Sequence, residues 1–250
     1  MDPKATSVCL NANGNILIGT RGGEIMESKQ NQEPKVYMRA HYDSELWGLA
    51  VHPTKTEMIT VGRDAMLAVW DMPTRKQKMN IKLTEGPADG VAISNNGQHV
   101  AVGFINGKLM IFDSTWNVLR QRSDRKGKAI QTMRYSPDDQ VLAVGAHDSQ
   151  IITYSVSRNY SILKRLKSHH STITHIDFTM DSSALMSNCT SYEILFHDAS
   201  TGKQVTGGAS QYKNEPWATW SCTLGWPVQG IFPPCADGSD INSCERSPDG

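Results

Sequence analysis

The sequence predicts an all-β protein, a β-propeller of about five four-stranded blades plus the first strand of another, so that the ring is incomplete. Three observations support this fold class. A pattern recurs about every 42 residues, each period contains several short apolar runs separated by turn residues, and no stretch sustains helical periodicity. A propeller blade consists of four short strands in about 40 residues. The internal repeat therefore predicts the fold before any single motif does.

Two landmarks of the repeat run in phase along the chain. The first is a turn between two apolar runs, and it recurs in steps of 41, 42, 42 and 43 residues at Ala12, Pro53, Asn95, Pro137 and Met180. The second is the start of the run DAMLAVWD at Asp64, which recurs 42 residues apart at Asn106 and Asp148. These steps predict blades at about 5–39, 40–82, 83–124, 125–167 and 168–207, followed by an insertion and the start of the next blade at 208–250.

Within each period the apolar runs have the length and composition of strands. In the second period they are LWGLAV at 46–51, EMITVG at 57–62, MLAVWD at 66–71 and KQKMNIKL at 76–83. Runs of four to eight residues rich in branched and aromatic side chains, bounded by turn residues, are typical of strands. No run of i, i+3, i+4, i+7 apolar positions is sustained, so we expect a helix content close to zero.

Composition and charge narrow the class of protein and partner. The chain has 25 Lys plus Arg and 25 Asp plus Glu, and this zero formal net charge argues against a nucleic-acid partner held by bulk charge. The five cysteines contain no C-x-x-C pair, which favours a reducing cytosol over a disulfide framework or a zinc knuckle. The start of the chain lacks the pattern of a signal peptide, and four prolines interrupt the uncharged run 216–236. We therefore expect a soluble, cytoplasmic protein with no membrane partner.

Polar residues of the second period predict a structural hydrogen-bond network. His41 precedes the first strand, Thr60 lies in the second, Asp64 in the following turn and Trp70 in the third. The pattern resembles the WD repeat, which implies that His41 meets Asp64 while Thr60 and the Trp70 indole complete the chain of hydrogen bonds. A buried carboxylate requires such partners. The alternative, a catalytic dyad of His41 and Asp64, lacks a nucleophile in the pattern.

We expect no catalytic residues, no cofactor and no metal site. The sequence contains neither the phosphate-binding pattern G-x-x-x-x-G-K-[ST] nor the nucleophile elbow G-x-S-x-G. His169, His170 and His175 are the alternative metal cluster, but no cysteine or carboxylate joins them at ligand spacing along the chain. His169 or His170 instead falls where the histidine that opens a blade belongs.

Two basic clusters are candidate partner-binding sites. The first lies around the connection between the third and fourth blades, and the second follows Trp70 and Asp71. The candidate partner-binding residues are Arg122, Arg125, Lys126 and Lys128 in the first cluster, and Arg75 and Lys76 in the second. Counting strands places the two clusters mainly on opposite faces of a propeller. Each cluster is interpreted most simply as solvated surface. The alternative is a site that steers an acidic partner protein by its positive potential.

The insertion and the ends of the array carry two further expectations. Residues 217–234 hold several aromatic side chains, so we expect them to pack against the blades, with an exposed docking patch as the alternative. An incomplete ring also leaves strand edges unpaired, which we expect at Val8–Leu10 and Asn242–Arg246. Unless five blades close on themselves, such edges favour pairing with another chain.

Three segments are more specific than a generic blade. They are HYDSELWGLAVHP at 41–53, KAIQTMRYSPDDQVLAVGAHD at 128–148 and WATWSCTLGWPVQGIFPPCADGSDIN at 217–242. In order and spacing they resemble echinoderm microtubule-associated protein-like proteins, and the similarity covers nearly the whole chain. The family's N-terminal coiled coil has no counterpart in this sequence. The resemblance therefore implies a fragment of the C-terminal part of the family's tandem atypical propeller.

The resemblance also implies a function. Members of the family are non-catalytic cytoskeletal proteins, so we expect a microtubule-associated protein that binds tubulin or microtubules and contributes to microtubule organisation. The blade pattern by itself leaves open an alternative, a generic WD-repeat adaptor that recruits another protein to a complex.

Overall fold

The computed structural model describes residues 4–11, 13–21, 23–29, 32, 34–38, 41, 45–225 and 241–246. In these residues the elements are, in chain order, β1 (Ala5–Leu10), β2 (Ile16–Thr20), β3 (Ile25–Ser28), β4 (Lys35–Met38), β5 (Leu46–Val51), β6 (Glu57–Gly62), β7 (Met66–Asp71), β8 (Lys76–Lys82), β9 (Ala88–Ile93), β10 (His99–Phe104), β11 (Leu109–Asp113), β12 (Val118–Arg122), β13 (Ile130–Tyr135), β14 (Val141–Ala146), β15 (Ile151–Ser155), β16 (Ser161–Leu166), β17 (Ile173–Phe178), β18 (Ala184–Cys189), β19 (Ile194–Asp198) and α1 (Gly208–Gln211). No helix among them is long and apolar enough to span a bilayer.

The strands form five separate antiparallel sheets, which we number blades 1 to 5. Blades 1 to 4 are β1–β4, β5–β8, β9–β12 and β13–β16, and blade 5 is β17–β19. Each strand pairs with its neighbour in sequence, which is the meander order of a propeller blade. In blade 5 the place of a fourth strand is taken by a single bridge between His197 and Gln204. The prediction of an all-β, incomplete propeller with almost no helix is confirmed.

The hydrophobic core lies between successive blades. The first strands of blades 2 to 5 run side by side in the order β5, β9, β13, β17. Ile59 and Val61 of blade 2 pack in one cluster with Phe104 of blade 3, and Ile111 of blade 3 shares the next cluster with Tyr154 of blade 4. Burial of these apolar faces against each other holds the blades in a continuous arc.

Blade 1 is packed differently from the other four. Among the described residues, no strand of blade 1 packs against β5 as closely as β9 does. Leu46, Leu49 and Val51 of β5 are 49%, 58% and 54% exposed, whereas Ala88, at the position in β9 equivalent to Leu46, is fully buried. The arc of packed blades therefore ends at β5, and an apolar strand faces solvent there. All of β1, the edge strand of blade 1, is also exposed.

The chain after β19 folds back onto blade 5. Trp217 is 2% exposed and lies 6.0 and 6.2 Å, between ring centroids, from Phe196 and Tyr212. Cys222 is buried in the same cluster as Met186. The described part of the aromatic segment, residues 217–225, thus packs against the blade body as expected. Residues 226–234, to which the same expectation applied, lie outside the described residues.

Residues 241–246 pack on blades 4 and 5. His175 of β17 donates from Nε2 to the carbonyl oxygen of Asn242 at 3.1 Å, and Arg134 of β13 forms an ion pair with Glu245 at 3.3 Å. The Arg246 guanidinium lies 4.9 Å from the centroid of a Trp220 ring. The second predicted open edge, Asn242–Arg246, is therefore held against the first strands of these two blades.

Candidate functional site

The structure brings His41, Thr60, Asp64 and Trp70 together in one hydrogen-bond network of blade 2. His41 Nδ1 lies 2.9 Å from each carboxylate oxygen of Asp64, and His41 Nε2 lies 2.9 Å from Thr60 Oγ1. Trp70 Nε1 lies 2.8 Å from the same threonine oxygen. Asp64 also accepts the backbone N–H of Met66 at 3.1 Å, so the carboxylate is bound on several sides.

The chemistry of the donors determines the direction of each bond. An indole N–H can only donate, so Thr60 Oγ1 accepts from Trp70. A carboxylate oxygen accepts, so His41 Nδ1 donates to Asp64, and in the neutral imidazole Nε2 then accepts the Thr60 hydroxyl. The side chains of His41 and Asp64 are only 9% and 4% exposed, which leaves a substrate no access to a dyad. The arrangement supports a structural role for the network.

We expect Asp64→Ala to lower the free energy of unfolding by about 1–3 kcal/mol, because the His41 N–H and the Met66 backbone N–H would lose their buried acceptor. Urea unfolding of the purified chain measures the change. Asp71→Ala in the same blade is the matched control, since Asp71 at the end of β7 accepts exposed hydrogen bonds from the nearby Thr74 and the change should alter stability by less than about 1 kcal/mol. Unaltered stability of the Asp64 variant would contradict a structural role.

Blade 5 contains a modified version of this network. His169 Nε2 lies 2.7 Å from Ser187 Oγ, and His169 Nδ1 lies 3.2 Å from Glu193 Oε2. His197 replaces the tryptophan, but its Nε2 bonds Ser168 Oγ at 3.1 Å and not Ser187. Burial lowers the pKa of His197 to about 4, so this ring is neutral at physiological pH. No indole N–H therefore orients the hydroxyl of Ser187 as Trp70 orients Thr60.

Arg125, which the sequence suggested as a partner-binding residue of the first basic cluster, is instead buried in the structure. Its side chain is 1% exposed and forms an ion pair with Asp148. Its guanidinium also donates to the backbone carbonyl oxygens of Gln150 at 3.0 Å and Val144 at 2.9 Å. In blade 4 Arg125 occupies the place that His41 has in blade 2. A partner protein cannot reach a guanidinium enclosed in this way.

Arg122 also has its partners within the protein. Its Nε and Nη2 donate to the two carboxylate oxygens of Asp124 at 2.9 and 3.2 Å. The same carboxylate accepts the Tyr154 hydroxyl at 3.2 Å, and the guanidinium of Arg122 lies 6.0 Å from the tyrosine ring centroid. A charge neutralised by a bidentate pair contributes little to the field outside the protein.

Lys126, Lys128, Arg75 and Lys76 are the exposed members of the two basic clusters. A 3.0 Å hydrogen bond from the Gly127 backbone N–H places the first pair beside the turn between β10 and β11. Arg75 lies in the turn between β7 and β8. Because strands alternate in direction within a blade, turns after second strands and turns after third strands lie at opposite ends of the strands. The lysine pair and the pair Arg75–Lys76 are thus on opposite faces.

A cluster of potential metal ligands lies at one end of blade 5, where β18 ends at Cys189. His169 Nδ1, Cys189 Sγ and a Glu193 carboxylate oxygen all lie within 4.8 Å of one another, and His170 Nδ1 is 2.5 Å from Glu193 Oε1. His175, the third histidine considered from the sequence, is not part of the group. Sequence spacing missed this cluster because β18 and the turn after it, and not the neighbouring chain, supply the cysteine and the carboxylate.

Hydrogen bonds and burial set the charges of this cluster. Bonds from the His170 backbone N–H and the surrounding side chains lower the pKa of Glu193 to about 2, so the group is an anion at neutral pH. Burial raises the pKa of the Cys189 thiol, and its hydrogen bond to Glu193 acts in the same direction. The thiol accordingly donates to Glu193 Oε2 at 3.2 Å.

Comparison with known families identifies the chain. The family model described as "Echinoderm microtubule-associated protein second beta-propeller" matches residues 46–250. The chain belongs to this echinoderm microtubule-associated protein family. The resemblance expected from the three sequence segments is confirmed. The match to the family's second propeller begins at the first residue of β5, where the packed arc of blades also begins, and blade 1 precedes it.

Relatives within the family align along nearly the full chain. It is 36% identical over 256 residues to the 77 kDa echinoderm microtubule-associated protein of Lytechinus variegatus, an alignment that covers 99% of the chain and 38% of that relative. It is 34% identical to human echinoderm microtubule-associated protein-like 2 (94% and 36% covered). For human echinoderm microtubule-associated protein-like 1 the identity is 36%, with 93% and 28% covered. The chain therefore spans little more than a third of its relatives' length at most.

Proposed function

We propose that this chain is a non-catalytic, cytoplasmic component of the cytoskeleton that binds tubulin or microtubules. The observation that carries the proposal is the family match, since between 93% and 99% of the chain aligns with three relatives named as microtubule-associated proteins. Because the chain spans 28–38% of those relatives, binding by this part alone belongs to the proposal.

The site geometry supports a binding role over a catalytic one. His41 and Asp64, the pair with the residue types of a catalytic dyad, are buried and fully engaged in a network that links strands of one blade. The exposed basic residues, in contrast, are available to a partner. Lys126 and Lys128 make no ion pair within the described part of the chain, and the acid nearest to them in the sequence, Asp124, is engaged by Arg122.

Lys126 and Lys128 are the contact residues that we favour. The buried Arg125 and the Gly127 backbone bond anchor the connection that carries them, so the two ammonium groups project from a fixed loop. A fixed loop loses less conformational entropy on association than a mobile one. Local positive potential of this kind steers an acidic partner surface even when the net charge of the chain is zero.

Co-sedimentation with polymerised tubulin, alongside a pull-down with soluble tubulin dimers, tests this proposal. The unmodified chain should bind, and the double variant Lys126→Glu/Lys128→Glu should bind roughly tenfold more weakly, about 1.4 kcal/mol. Arg75→Glu/Lys76→Glu is the matched control, because it reverses the same number of exposed charges on the opposite face. Equal binding by both double variants would show that Lys126 and Lys128 are not the contact residues. Failure of the unmodified chain to bind in both assays would overturn the proposed function.

A further inference from the structure

We propose that His169, His170, Cys189 and Glu193 form a zinc-binding site at one end of blade 5. His169 and His170 lie in the connection that precedes β17, Cys189 ends β18, and Glu193 lies in the turn that follows. Ligand atoms of His169, Cys189 and Glu193 lie within 4.8 Å of one another, and His170 Nδ1 lies 2.5 Å from Glu193 Oε1. The inference concerns this cluster alone and goes beyond the proposed binding of tubulin.

The spacing of the ligand atoms suits one small cation. In a tetrahedral zinc site with bonds of about 2.0–2.3 Å, neighbouring ligand atoms lie about 3.3–3.8 Å apart. Glu193 Oε2 is 3.2 Å from His169 Nδ1 and 3.2 Å from Cys189 Sγ, so these pairs would separate by only a few tenths of an ångström. The fourth ligand, His170, has a side chain that is 82% exposed, and its imidazole can rotate to complete the tetrahedron.

The donor types select the metal. A thiolate together with imidazole nitrogens and one carboxylate oxygen is a ligand set for zinc, whereas calcium and magnesium require oxygen ligands. The charges agree with this choice, since a thiolate and a carboxylate neutralise a divalent cation. Three polar groups, His169 Nδ1, the His170 backbone N–H and Cys189 Sγ, converge on Glu193 Oε2.

The groups behind the ligands orient His169 for a metal. A histidine ligand typically donates its second ring N–H to a neighbouring oxygen, which directs the lone pair of the other nitrogen at the ion. Ser187 Oγ lies 2.7 Å from His169 Nε2 and can accept that hydrogen. In blade 2 the hydroxyl of Thr60 also accepts the Trp70 indole N–H, whereas in blade 5 His197 bonds Ser168 and not Ser187.

Bound zinc would join two loops that already lie together. The backbone N–H of Thr190 donates to the carbonyl oxygen of Thr172 at 3.0 Å, and the hydroxyls of Ser171 and Thr190 are 2.5 Å apart. A metal bridge across the same two segments would hold the entry to blade 5 against its own turn. Since the Cys189 thiol must lose its proton to become a ligand, binding at neutral pH should release a proton.

Metal titration of the whole purified chain, after treatment with a chelator, tests the proposal. Zinc should bind with one equivalent per chain and release a proton, and cobalt(II) should produce the charge-transfer absorption of a thiolate ligand. Cys189→Ser should abolish that absorption. His170→Ala, a change at an exposed side chain that does not endanger folding, should weaken zinc binding at least tenfold.

His147→Ala is the matched control, because His147 is an exposed histidine in the corresponding turn of blade 4, where Ala146 stands in place of the cysteine. Its zinc affinity should equal that of the unmodified chain. Absence of a cobalt–thiolate absorption in the unmodified chain would overturn the proposal. An absorption that persists in Cys189→Ser would do the same, since it would arise from another cysteine.

Discussion

Asp177→Ala is expected to destabilise the protein by at least about 2 kcal/mol and to release the segment that follows α1. Asp177 is fully buried. Its carboxylate accepts the backbone N–H of Thr219 at 3.1 Å and that of Trp220 at 2.7 Å. Each buried N–H that loses its acceptor costs about 1–3 kcal/mol. Because these bonds link β17 to the chain beside Trp217, tryptophan emission should also shift to the red.

Urea unfolding and iodide quenching of tryptophan fluorescence measure the two parts of this result. Asp181→Ala is the control in the same blade, since Asp181 is exposed and its carboxylate accepts hydrogen bonds from Thr179 and Ser183 in its own turn. It should change stability by less than about 1 kcal/mol and leave the quenching unaltered. If the Asp177 variant were as stable as this control, the segment would not be anchored through the carboxylate.

Arg125→Ala is expected to destabilise the protein by about 3 kcal/mol, at the lower end of the range for breaking a buried ion pair. The change would remove the partner of Asp148 and leave the carbonyl oxygens of Gln150 and Val144 without their donor. Asp148 retains some contact with water, at 17% side-chain exposure, and this limits the cost.

The adjacent Lys126 provides the control for Arg125. Lys126→Ala removes one positive charge from an exposed side chain of the same loop and should change the unfolding free energy by less than about 0.5 kcal/mol. The urea midpoints of the two variants should differ clearly. Equal midpoints would mean that Arg125 is a surface residue, as its position in a basic run of the sequence first indicated.

The repeat made the fold predictable because each blade is a local unit. Every strand pairs with its neighbour in sequence, so the period of turn residues and the alternation of apolar runs carry the information that a four-stranded meander needs. For the same reason the resemblance to the WD repeat could group His41, Thr60, Asp64 and Trp70, since all four belong to a single blade and its entry.

The burial of residues in the basic clusters could not be predicted from the sequence in this way. Sequence order places Arg125 beside Lys126, but whether a side chain points into a blade or away from it depends on the position of the connection relative to the next strand. Arg125 points inward to Asp148, and Lys126 is exposed. Charge along the chain records neither direction nor burial, so only the tertiary structure could separate the two roles.

The sequence by itself determined the fold class, the family and the residues of the blade 2 network, because these depend on contacts between neighbouring strands and on motifs that are continuous in the chain. Only the tertiary structure decided that Cys189 and Glu193 join His169, and that β5 ends the packed arc with its apolar side exposed. Ligand groups of this kind and packing between blades arise from residues that are distant in sequence. Their positions follow from how the strands are arranged in space, which local periodicity does not encode.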